Sequence, residues 1–131
     1  MRSIPARLLA DSAVITVCSC LDQWQRVGEK QTVKVSRVHL QAVDEIKKTK
    51  ENTEVILLAV LFIDRQLSRM TPALPYSWEQ FYALSLKNGA PMRVTVYNAA
   101  GAALGDFEVI SVDAVPDVPS TRTHHWELGL V

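Results

Sequence analysis

Apolar and polar positions along this chain alternate far more often than they recur at helical spacing, and the alternation marks out strands. Ser12 to Cys20, rich in Val, Ile and Thr, reads as the first. Gln31 to Val43 reads as the second, with a fault in it. Val33 and Val35 share one face, whereas Val38, Leu40 and Ala42 take the other parity. A β-bulge near Ser36-Arg37 would restore one continuous apolar face. Val55 to Ile63 is almost wholly apolar. Its length, its Val and Ile content and its place between strands favour a central strand covered on both faces. Met92 to Tyr97 alternates cleanly. Phe107 to Val115 changes parity between Val109 and Ile110. His124 to Val131 ends the chain as a strand, with Trp126, Leu128 and Leu130 on one face and His125, Glu127 and Gly129 on the other. Adjacent His124 and His125 should then point to opposite faces.

The connections are as distinctive. Residues 1–10 form an N-terminal arm with apolar Ile4, Pro5, Leu8 and Leu9, more apolar than a free tail needs. Residues 44–54 are polar and carry no Pro or Gly. They read as a long charged loop between strands, or as a short exposed helix. Ser77 and Gln80 have the spacing of a capping box, and Asn88-Gly89 is a good helix stop. One short helix is therefore expected, about 78–87, with Trp78, Phe81, Leu84 and Leu86 on its core stripe. Asn98 to Gly101 is a turn signal, and Asp64 and Asp106 suit turn positions. The sum is a mostly β chain. It predicts a small antiparallel β-barrel or sandwich of about six strands, with long loops and one helix outside.

Composition narrows the function. At 131 residues with 48% hydrophobic and 21% charged, the chain is expected to form one domain, 1–131, with one core. Lys and Arg number 14 and Asp and Glu number 14, so no positive excess exists to neutralise phosphates. Sequence-specific DNA binding is not expected. Leu8 to Ala10 is too short for a signal-peptide core, and Val55 to Ile63 is about half of the ~20 residues a membrane helix needs. Cys18 and Cys20, the only cysteines, are expected to stay reduced.

Candidate chemistry is sparse. His125 and Glu127 share a strand face and could supply two metal ligands, with His39 as a conceivable third. That set defines a rival reading as a metal-dependent enzyme or a small ligand-binding barrel. Asp11, Asp22, Asp64, Asp106 and Asp113 have no partner at informative spacing. No phosphate-binding glycine loop and no nucleophile elbow is present. The expectation is a protein without catalytic residues or cofactor.

Three segments, in order along the chain, resemble one family. Ile4-Pro5-Ala6-Arg7-Leu8-Leu9, Ala59-Val60-Leu61-Phe62-Ile63-Asp64 and His124-His125-Trp126-Glu127-Leu128 look like the minor capsid proteins of siphophages and prophages of Gram-positive bacteria. Val35-x-Arg37-Val38 fits as well. The family is similar in type to head-closure, or stopper, proteins. The resemblance implies a homo-oligomeric ring in the virion neck, made in the host cytoplasm, with no membrane partner. Portal and adaptor proteins would sit on the head side and a tail terminator or tail tube on the other, with DNA passing through without sequence-specific binding. It also implies a core motif of Phe62, Ile63, Trp126 and Leu128. Ile4, Pro5, Leu8 and Leu9 would be an intersubunit arm, and Asp44, Glu45, Lys47, Lys48, Lys50 and Glu51 a channel loop. An adaptor, tail-completion or tail-terminator protein is the neighbouring alternative. The chain departs from the family pattern between residues 70 and 90, where Pro72, Pro75 and the capped helix replace a simple loop.

Overall fold

The computed structural model describes residues 6–18, 30–48, 54–71, 77–88, 91–118 and 122–131. After a 3-10 turn at Ala6–Leu8, the strands are β1 (Asp11–Cys18), β2 (Lys30–Lys48), β3 (Glu54–Asp64), β4 (Arg69–Thr71), β5 (Arg93–Tyr97), β6 (Ala103–Pro116) and β7 (Thr123–Leu130). One helix, α1 (Trp78–Asn88), lies between β4 and β5. The sheet runs β1-β5-β6-β7-β3-β2 and closes through β1–β2 pairing. The result is a closed six-stranded antiparallel barrel, with β4 as a seventh strand along β2. Closure leaves the paired wall without an edge.

Alternation fills the interior. Ala13, Ile15 and Val17 from β1, Val94 and Val96 from β5, and Leu128 and Leu130 from β7 are buried together with Ala59, Leu61 and Ile63 of β3. Both parity faults become bulges, the one in β2 as expected. Asp11 pairs with Val38 and Ser12 with Ser36, so Arg37 is the extra residue, in the left-handed region at φ 58. Val33, Val35 and Val38 are thereby all buried. In β6, Val109 and Ser111 pair with Leu130 and Gly129, which leaves Ile110 out of the ladder.

Asp64 ends β3 as a turn residue. It is 1% exposed, and its Oδ2 accepts the N–H groups of Gln66 at 2.9 Å and Leu67 at 2.8 Å. Ser68 receives the Asp64 N–H and donates its own hydroxyl to the Arg37 carbonyl, which ties this turn to the bulge in β2. Asp106 was expected at a turn but lies inside β6. It accepts from Thr95 at 3.4 Å and sits 3.7 Å from Arg93.

The capping box forms, with Ser77 N–H donating to Gln80 Oε1 at 2.8 Å and Gln80 N–H to Ser77 Oγ at 3.4 Å. The buried stripe differs from the expected one. Trp78, Phe81 and Ser85 are buried, Leu84 is half-buried, and Leu86 is exposed. At 100° per residue, positions i, i+3 and i+7 align, and Leu86 falls off that line. The helix lies against β1 and β6, and Tyr82 donates its hydroxyl to the Ile110 carbonyl left free by the bulge.

Two further expectations are corrected. β3 is not covered on both faces: Ile56 and Leu58 are each 57% exposed, and Val60 and Phe62 are half-buried. A barrel wall has one inside, and α1 packs over β1 and β6, not over β3. Phe62 therefore leaves the proposed core motif, because its neighbour Ile63 takes the inward position. The N-terminal arm is partly integrated as well. Leu9 is 4% exposed within its own chain, Leu8 is 47% exposed, and Ile4 and Pro5 lie outside the described residues. Among the described residues, no helix is long and apolar enough to cross a membrane.

Candidate functional site

The barrel wall stops before β2 and β3 do. β7 reaches Leu130 opposite Ala59 of β3, and β1 reaches Asp11 opposite Val38 of β2. Asp11 Oδ2 then accepts the Leu40 N–H at 3.1 Å and ends that seam. Beyond these points, residues 45–48 of β2 and 54–57 of β3 find strand partners only in each other, among the described residues. They form a two-stranded arm that continues the wall.

The arm takes the place of the expected charged loop, and this is a correction. Asp44, Glu45, Lys47 and Lys48 are part of β2, with Glu45 opposite Leu57, Lys47 opposite Val55 and Lys48 opposite Glu54. Lys50 and Glu51 lie outside the described residues. A ladder needs backbone partners, not apolar side chains, so a polar sequence can extend one that the barrel has already registered. A second bulge falls where the arm begins, with Ala42 opposite Ala59 but Glu45 opposite Leu57. Leu57 is buried and closes over Gly129, where an added Cβ would meet its side chain at 3.1 Å and would clash with Ser111 Oγ.

Next to the arm, three rings cross the wall. Phe62 stands between His39 of β2 and His125 of β7, with centroids 5.9 Å away on each side. The residues of the rival metal reading thus share one wall, but Phe62 separates His39 from His125. Among the described residues, no group of three His, Cys, Asp or Glu side chains could hold an ion.

The histidine pair is not disposed as alternation predicts. Val115 pairs with His125 and Pro116 with Thr123, so His124 is the extra residue of another bulge. A bulge brings two consecutive side chains toward the same side. The Nδ1 atoms of His124 and His125 lie 2.7 Å apart, and His125 Nε2 lies 3.4 Å from Glu127 Oε1. With both rings neutral, one arrangement satisfies the set: His125 Nε2–H donates to Glu127, and His124 Nδ1–H donates to His125 Nδ1. The chain carries no sequence signal for this bulge.

At the end of the wall near α1, a shallow cleft is lined by Trp78, Trp126, Met70, Ile63, Asp64 and Arg65. Trp126 packs against the core, and its indole N–H donates to Glu79 of α1 at 3.1 Å. That bond fastens the terminal strand to the first turn of the helix. Comparison with family models, with curated proteins and with solved structures finds no match.

Proposed function

We propose that this chain is a structural subunit of a phage neck, a ring-forming protein that closes the filled head and presents the surface on which the tail docks. The observation that carries the reading is the arm. A small barrel whose wall is otherwise closed extends one hairpin past its neighbours, with Ile56 and Leu58 more than half exposed. A barrel needs no such extension for its own core, whereas a subunit that assembles needs surface of this kind. The resemblance to siphophage minor capsid proteins supplies the assembly. The arm occupies the position of the channel-facing loop that the resemblance implies. Its mixed charge, Asp44 and Glu45 followed by Lys47 and Lys48, suits a channel that DNA crosses without being gripped.

The test is DNA retention. Heads assembled without the chain should lose packaged DNA. Heads carrying a chain whose residues 44–54 are replaced by a tight turn should contain the ring and still leak. Retention equal to wild type in both would remove the neck reading. Retention only in the second would leave a neck subunit whose arm does not reach the channel.

A further inference from the structure

The free edge of the arm has a self-complementary charge pattern. On the side where β1 has ended, β2 offers unpaired backbone from Gln41 to Lys48, among the described residues. An open edge invites another strand, and a two-stranded hairpin is marginal alone in water. Natural edges are often blunted by charge, and a run of one sign would repel any copy. Here the run is Asp44-Glu45-Ile46-Lys47-Lys48. An antiparallel copy centred on Ile46 sets Asp44 opposite Lys48 and Glu45 opposite Lys47, each twice across the two-fold, giving four opposite-sign pairs. A parallel copy in register sets every charge against its like. Slipping the antiparallel register by one residue leaves only two opposite-sign pairs in place of four. The zero net charge adds no long-range repulsion between copies.

We infer that the free subunit forms a two-fold dimer by pairing the β2 edges of two copies, antiparallel about Ile46. The contact is isologous, unlike the head-to-tail contact that a ring requires, so it stands or falls separately from the neck reading. It places the exposed Ile56 and Leu58 of each arm one strand away from the new seam.

The test uses the full chain and charge exchange, read by sedimentation velocity, with melting temperature as the check on folding. Wild type should be a dimer that weakens as salt is raised. Asp44→Lys with Glu45→Lys, or Lys47→Glu with Lys48→Glu, turns all four pairs repulsive. Each double variant should weaken the dimer by roughly tenfold to a hundredfold. Mixing the two double variants should restore a one-to-one dimer. If either double variant fails to fold, the fourfold exchange decides: it should pair with itself and refuse wild type. A monomeric wild type, dimers that survive both double variants, a mixture that stays monomeric, or free exchange between wild type and the fourfold variant would each overturn the inference.

Discussion

The β5–β6–β7 wall and the β2–β3 arm are built from the same kind of ladder, yet they hold together for different reasons. In the wall, every strand has a neighbour on both sides, and its inward residues meet others: Val94, Val96, Val109, Leu128 and Leu130 are all buried. In the arm, two strands share one ladder, and Ile56 and Leu58 meet water over more than half their surface. Backbone pairing is common to both, whereas in the arm burial is confined to Leu57 at its base, among the described side chains. Stability should therefore concentrate in the wall, and association in the arm.

Several substitutions sharpen that contrast, and the largest effects belong to the wall and to the helix packed on the barrel. Leu128→Ala and Phe81→Ala each remove a fully buried side chain and should destabilise the subunit by about 3–5 kcal/mol in denaturant titrations. Trp126→Ala belongs with them, though its half-buried ring and its bond to Glu79 place it toward ~3 kcal/mol. Gly129→Ala forces Ser111 and Leu57 to move and should cost about 1–3 kcal/mol. An unchanged melting temperature would mean that the strand shifts freely there. Asp64→Ala leaves two turn N–H groups without their acceptor, at a cost of about 1–3 kcal/mol. Ser85→Ala should act in the opposite direction. Its buried Oγ has no hydrogen-bond partner among the described residues, so its removal from the helix should stabilise by about 1 kcal/mol. The smallest effect belongs to the arm. Leu58→Ser should change the unfolding free energy of the monomer by less than about 0.5 kcal/mol, and a loss comparable to that of Leu128→Ala would erase the distinction between the two regions.

What could be read in advance followed burial. The bulges at Arg37 and Ile110 were legible because the inward face had to stay apolar across them, and the parity of Val35 and Val38 records that demand. The capped helix was legible because the side chains of Ser77 and Gln80, three residues apart, accept each other's N–H groups at the helix start. The arm was not legible, because neither face of residues 44–48 carries a continuous apolar pattern. Its strand character is inherited from pairing set deeper in the barrel. β4 is only three residues long and is held by its register with Lys34, Val35 and Ser36. The bulge at His124 lies where both parities are polar, so a slip of one residue leaves no mark on hydropathy. Phe62 was misplaced because an unbroken apolar run conceals which of two neighbours faces in.

β2 is one uninterrupted strand from the barrel seam to the end of the arm, passing through Arg37. That continuity gives it a mechanical character. A force drawing the arm along its own axis reaches the β1–β2 seam as shear, because the ladder from Lys30 to Val38 lies along the line of pull. Bonds loaded in shear share the force and yield together. Bonds at the Leu40 end, where Asp11 holds one N–H, yield singly if the arm is bent sideways. The subunit should thus resist tension along the arm better than sideways bending, which would fall on the point where one aspartate takes over from a strand.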